Sequence, residues 1–377
     1  MAARFGLCFV FLFAVSFAQA FVQNAVHGYP ACVACHVAPN GGGLLTDYGR
    51  SLSKELMSTW GVSDRFSQPF FGALKNKETV KYGGDVRAIQ TWLADDGGEQ
   101  GSLFPMQSNV EVGVKWDNVM LVGTAGIQQG PEMFEGRGTF LSERHYVLWS
   151  PLPTSKLQVG KFRQTFGIND PNHNRLIKRT FGFSWLSEAY NMEFTQLYET
   201  QQITVGTSLG RVDNPVRVNN GFQESNEKSV YANYSYFRNE NSKIGASLLF
   251  GDSEIRRRTL LGVNAVLPVA EKWLLISEVD YERSHSNLFN TDQGIDTVAS
   301  LVRFGHTPFK GFFWYLLFEH VSRDTGATYS LTTQPGIGVQ FLPIPHVNLQ
   351  IEYGRREVSN APNGIADVGF ALFHFYL

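Results

Sequence analysis

The 377-residue sequence predicts an all-β protein: an outer-membrane antiparallel β-barrel of about sixteen strands, with a small α-helical module ahead of it that plugs the lumen. Three observations carry this expectation. Beyond about residue 80, segments of roughly ten residues alternate apolar with polar, and about 9–11 residues is what a tilted strand needs to cross a bilayer. The connections between these segments alternate in length, as the short periplasmic turns and longer external loops of a bacterial barrel do. No run after residue 20 approaches the roughly 18 uninterrupted apolar residues of a membrane helix. With 43% hydrophobic residues and a mean hydropathy of −0.15, the composition suits a barrel that is apolar outside and polar inside.

Taken in order, Arg4 supplies a positive n-region, residues 5–17 an apolar h-region and Ala18-Gln19-Ala20 a small-residue cleavage site. Residues 1–20 therefore read as a secretory signal peptide, with a mature chain beginning near Phe21. Residues 21–75 make up the module, which carries Cys32-Val33-Ala34-Cys35-His36. Two thiols at this spacing each form a thioether to a haem vinyl group, and the next residue ligates the iron. Zinc would need further ligands, and Cys8, the one other cysteine, belongs to the leader. A redox dithiol would want a βαβ setting, whereas a Gly-rich turn and a helix follow here. One covalent haem c is thus expected, with Cys32 and Cys35 as its thioether residues and His36 as proximal ligand. Pro39 to Gly43 form the turn; the helix is capped by Thr46 or Asp47 and offers Leu45, Leu52, Leu56 and Trp60 to the porphyrin or to the barrel wall. For the sixth iron ligand the candidates are Met57, the only Met of the module, and His27, its only other His, with a later residue or water as alternatives.

Residues 76–377 form the barrel. Strands are expected near 80–93, 106–116, 119–128, 139–149, 156–165, 188–199, 202–211, 229–238, 242–251, 258–267, 272–282, 296–306, 312–322, 332–341, 346–356 and 364–377. In one of them Val347, Leu349, Ile351 and Tyr353 share a face opposite Asn348, Gln350 and Glu352; in another Val110, Val112, Val114 and Trp116 oppose Glu111 and Lys115. Short turns such as Asp117-Asn118 and Thr200-Gln201 alternate with external loops at 94–105, 129–138, 166–187, 212–228, 283–295, 323–331 and 357–363. The 30 Phe, 14 Tyr and 7 Trp fit aromatic girdles, and Phe373, Phe375 and Leu377 give the closing strand an apolar face.

A net charge of −2 gives no electrostatic footprint for nucleic acid. Walker A and H-E-x-x-H motifs are absent from the sequence. Two acidic groups are candidates to attract Fe²⁺, a hard cation: Glu278, Asp280 and Glu282 on the inward face of one strand, and Asp95, Asp96 and Glu99 in the first external loop. Solvated lumen charge is the competing reading of both.

The combination resembles the fused monohaem cytochrome–porins of the outer membrane, the family that contains the iron-oxidase cytochromes of iron-oxidising bacteria. The likeness in residues covers Cys32, Cys35 and His36, followed by Pro39, Leu45-Thr46 and Gly49-Arg50, which look like that family's post-haem elements. Gly41 to Gly43 space Pro39 from Leu45 more widely, and Leu52 stands where an aromatic residue is common. The resemblance implies an electron-transfer protein in outer-membrane lipid, an oxidoreductase of the Fe(II):cytochrome c type. It would take electrons from an extracellular donor, Fe(II), and pass them through the haem to a soluble periplasmic c-type cytochrome. A substrate-permeable porin whose module is a plug or sensor is the alternative, as is a conduit for another donor.

Overall fold

Val110, Val114 and Ile351 are 46–63% exposed, while Glu111, Gln350 and Glu352 beside them are buried. This inversion of the usual soluble pattern runs around the whole sheet of a computed structural model that describes residues 25, 29–61, 73–74, 77–128, 139–172, 174–184, 187–210, 227–239, 241–287, 294–327, 331–359 and 364–377. Lipid-facing side chains are apolar and lumen-facing ones largely polar, as an outer-membrane barrel requires.

Seventeen strand segments build the wall: β1 (Val80–Asp95), β2 (Gly98–Trp116), β3 (Val119–Gln128), β4 (Thr139–Leu141), β5 (His145–Leu152), β6 (Ser155–Phe162), β7 (Ala189–Leu197), β8 (Gln201–Ser208), β9 (Lys228–Asn239), β10 (Ser242–Asp252), β11 (Arg256–Ala270), β12 (Trp273–Ser286), β13 (Gly294–His306), β14 (Phe312–Ser322), β15 (Leu331–Phe341), β16 (Val347–Val358) and β17 (Ile365–Tyr376). β4 and β5 both pair with β3, so they are halves of one stave broken at Ser142–Arg144, and the barrel has sixteen staves. Every pairing is antiparallel between sequence neighbours, and β1 closes the ring on β17 from Asp85↔Tyr376 to Asp95↔Ala366.

Two connections depart from expectation. β1 and β2 stay paired out to Asp95↔Gly98, so the stretch 94–105 is a projecting hairpin and not a loop; Asp96-Gly97 is the tight turn that makes this possible. The segment after β6 does not protrude either. It turns into the lumen, forms the short helix α2 (Leu176–Phe181), and buries Phe166, Ile168, Leu176, Ile177, Phe181 and Phe183 against inward-facing residues of the wall from Tyr231 to Val321. A solvated external loop has no use for six buried apolar side chains; burying them is worth roughly 1.5–3 kcal/mol each.

The module enters from the opposite, short-turn end. Its helix α1 (Asp47–Leu52) is N-capped by Thr46, whose Oγ1 accepts from Gly49 N and donates to the Ala34 carbonyl. A π-turn, Ser53–Met57, continues it. Leu44 and Ala38 fill the lumen against Met120, Val122, Tyr146, Leu148 and Phe162. Gly83 and Gly113 make room for Leu44: a Cβ on either would come within 2.9 Å of it. The tail then passes beneath the barrel rim, where Thr59 and Trp60 donate backbone hydrogen bonds to Leu342 and Pro343. Trp60 ends on the outer surface, edge-on to Phe341 at 5.7 Å.

Candidate haem-binding site

Cys32–Ala34 form a 3₁₀ turn in which the N–H groups of Cys35 and His36 both donate to the Cys32 carbonyl, gathering Cys32, Cys35 and His36 into one turn. Neither cysteine is in a disulfide. An antiparallel bridge between His36 and Leu45 closes the intervening turn, and the three glycines at its tip, Gly41 to Gly43, have φ between 66° and 81°. That left-handed run is open to glycine and strained for other residues, and it lets Gly41 approach Cys32 closely: a Cβ there would lie 3.0 Å from the Cys32 Cβ. Behind the turn, a Cβ on Gly49 would run into the Cys35 carbonyl, so α1 packs backbone to backbone on the C-x-x-C-H segment. Cys35 joins Tyr29 and Leu52 in a small buried cluster flanked by Tyr48 and Leu56.

Cys32 and His36 line a cavity of about 170 Å³ that lies inside the barrel, between the module and the inserted segment. Its walls come from Gly84, Asp85 and Arg87 on β1, Glu111 on β2, Gln158 and Phe162 on β6, Lys243 on β10 and His374 and Tyr376 on β17; residues 164–171 roof it. The roof and floor are tied together, since Asn40 donates to the Arg163 carbonyl and Asn169 to the Asn40 carbonyl.

The donor set fits a c-type haem. His36 is buried, and the carbonyls of Gly42, Gly43 and Leu44 face its ring without a well-formed hydrogen bond to either nitrogen. Burial lowers its pKa to about 4, with the Arg144 charge adding to the effect, so the ring is held neutral, the form that ligates a metal. Those carbonyls also suit the N–H that a ligating imidazole turns away from the metal. Burial pushes the Cys32 thiol up, away from the reactive thiolate. The cavity is smaller than the roughly 300–1,000 Å³ of ordinary ligand pockets, so a porphyrin here requires its walls to move apart.

Of the other residues singled out from sequence, His27 and the leader, residues 1–20, lie outside the described residues, as does most of the stretch 212–228. Met57 is buried but packs against Leu342 and Tyr376 and does not line the cavity. Leu52 and Leu56 lie against Cys35, whereas Trp60 faces outward and not toward the module's core. Glu278, Asp280 and Glu282 do share the inward face of β12, all nearly fully buried. They are no open cation site: Lys178 bonds Glu278 at 2.8 Å, and Arg256 and Arg258 bond Glu282 at 2.8 and 3.0 Å. Asp95, Asp96 and Glu99 sit exposed at the β1–β2 hairpin tip, where Asp95 accepts from Gly97 N. Among the described residues no group of three or more His, Cys, Asp or Glu could hold a metal ion.

Sequence reasoning missed the charged lock of the inserted segment. Arg175 is 1% exposed, forks onto Glu352 at 2.6 and 2.7 Å, and reaches Asp170 at 3.4 Å and Glu319 at 3.7 Å. Arg303 also bonds Asp170, and Arg258 joins Glu227 on one side and Glu282 on the other. The detectable signal was a long connection that mixed Arg175 and Lys178 with apolar residues at helical spacing.

No protein-family model matches the chain, and no curated protein matches it either. Solved structures do. A loop L8 deletion mutant of OmpT, an outer membrane protein of Vibrio cholerae, superposes with a TM-score of 0.60 at 12% identity, over 79% of this chain and 99% of that one. The outer membrane channel DcaP of Acinetobacter baumannii gives 0.59 at 13%, covering 81% and 99%. An anion-selective porin from Comamonas acidovorans gives 0.59 at 9%, covering 79% and 99%. At these identities the likeness establishes a porin-like sixteen-stranded barrel, the fold of outer-membrane porins.

Proposed function

We propose that this chain is an outer-membrane electron-transfer protein, in which one covalent haem c, held within a porin-like barrel by Cys32, Cys35 and His36, takes electrons from an extracellular donor and passes them to a soluble periplasmic c-type cytochrome. The observation that carries this reading is that Cys32 and His36 of a C-x-x-C-H turn line a cavity inside the barrel, between a docked module and a packed inserted segment. Such a lumen is poorly suited to solute flow. When bound, the haem would supply a one-electron couple on the iron. The chain's residues do the rest: Cys32 and Cys35 tether the ring, neutral His36 presents a lone pair, Leu44 and Asn40 fix the turn, and the segment around Phe166 limits the approach of water. By resemblance the donor is Fe(II), which would be oxidised to Fe(III) as the haem iron is reduced, an oxidoreductase of the Fe(II):cytochrome c type.

The alternative is a solute channel, favoured by likeness to an outer membrane channel and an anion-selective porin. One experiment separates the two. The haem-loaded protein, oxidised and mixed anaerobically with Fe(II), is expected to show reduced haem bands, and an oxidised periplasmic cytochrome should then restore the oxidised spectrum. Liposomes carrying the same protein should exclude small sugars. Free sugar uptake with a haem indifferent to Fe(II) would establish the channel reading instead; reduction by a quinone, sulfide or a cathode but not by Fe(II) would keep the conduit and change the donor.

A further inference from the structure

Resting on the haem-conduit reading, we infer that His374, on the last strand of the barrel, supplies the iron ligand opposite His36. The two residues line the same cavity, and among the described residues they are the only imidazoles on its wall; no described methionine lines it. Haem iron takes its axial ligands from His, Met, Cys or Tyr side chains. Of those types on the cavity wall, Cys32 is committed to a thioether, and the Tyr376 hydroxyl is bonded to Ser53 Oγ at 3.1 Å. Met57, the sulfur candidate, is packed with Leu342 and Tyr376, away from the cavity. Among the described residues, His374 is left by its position and by its chemistry.

The neighbourhood of His374 points the same way. Its ring lies 5.3 Å from that of Tyr376, which in turn meets His346 edge-on at 5.5 Å, so the imidazole sits in an aromatic frame. Tyr376 is also within electrostatic range of Cys35, which places this frame beside the second tethering thiol. Opposite His374 across the β1–β17 ladder is Arg87, and Asn348 opposes it across β16–β17, so the residue is fixed by pairing on both sides. A ligand set on a paired strand is held more tightly than one on a loop. It would join module and barrel through the iron: one axial bond from residue 36, the other from the closing strand.

The test uses the full-length, haem-loaded protein with the substitutions His374→Ala, His374→Met, Met57→Leu and His346→Gln. Covalent haem is measured on a denaturing gel, and ligation by electron paramagnetic resonance and near-infrared absorption. The wild type is expected to be low-spin with no sulfur-to-iron band. His374→Ala should keep haem staining and lose the low-spin signal; His374→Met should stay low-spin, gain the sulfur-to-iron band and have a raised potential, because a thioether ligand raises it. Met57→Leu and His346→Gln should match the wild type. A low-spin signal that survives unchanged in His374→Ala, or a high-spin wild type, overturns the assignment while leaving the haem in place. Absence of covalent haem from the wild type overturns the conduit reading and this inference together.

Discussion

Replacing Arg175 by Met removes a cation that three lumen carboxylates share. Asp170 keeps Arg303 as a partner. Among the described residues Glu352 keeps the neutral hydroxyl of Tyr315 at 2.6 Å, and Glu319 keeps the backbone N–H of Leu176 at 2.7 Å. Both carboxylates are buried, at 6% and 1% exposure, and breaking a buried pair by removing one partner costs about 3–5 kcal/mol. The cost falls on docking of the inserted segment, since Arg175 belongs to it while Glu319 and Glu352 belong to the wall. At about 1.4 kcal/mol per decade, a loss of about 4 kcal/mol raises the undocked population close to a thousandfold. In planar bilayers the wild type should give small, rare openings. Arg175→Met should give frequent openings, and neutralising its partners in Arg175→Met with Glu319→Gln and Glu352→Gln should largely reverse this. A wild type that conducts like an open porin, or an Arg175→Met protein as quiet as the wild type, would refute the idea that this lock closes the lumen.

Further expectations follow from the same contacts. Cys32→Ala with Cys35→Ala should abolish haem staining on denaturing gels while leaving a heat-modifiable barrel; staining that persists contradicts the tether. Gly49→Ala sets a methyl group against the Cys35 carbonyl, an overpacking of about 1–3 kcal/mol, and should lower haem incorporation per folded barrel, read as the ratio of haem absorbance to protein. Protease added to intact cells should spare the segment around Phe166 to Phe183, because it lies in the lumen; cleavage there would return it to the outside. In the haem-free double variant, His36 has a folded pKa of about 4, below the usual 6.5. Its contribution to docking is therefore complete above about pH 6.5 and is lost as pH falls towards 4, by at most about 3 kcal/mol. Limited proteolysis of the module across that range checks it, and a module that loosens as pH rises would reverse the sign.

The barrel was legible because lipid imposes a two-residue period that few other environments impose so consistently. Fifteen of the sixteen pairings between staves join neighbours in sequence, and Glu111 or Glu352 between apolar residues declares which face is wet. The Asp96-Gly97 turn was readable as a tight hairpin, but its flanking strands run past the bilayer, where alternation carries no hydrophobic signal. The C-x-x-C-H turn was local chemistry and therefore visible. What escaped were long-range partnerships. Arg175 and Glu352 are 177 residues apart, and nothing in either segment alone says that an external connection folds inward. His374 could be assigned to the wet face from the alternation of Phe373 and Phe375, yet its place beside His36 depends on where the module docks, which pattern reasoning does not give.

Trp60 has a consequence for biogenesis. The polypeptide leaves the lumen under the rim formed by Leu342 and Pro343 and sets an indole among Phe309, Phe312 and Phe341 on the lipid side. The module is thus threaded through the mouth of the barrel and moored outside it. The ring is sealed by one seam, the ladder between β1 and β17, and β17 carries His374 and Tyr376, which line the cavity facing Cys32 and His36. On the haem reading, attaching the porphyrin before β17 pairs with β1 spares it a passage through the finished wall. Attachment first and closure second would then make the order of events part of the fold.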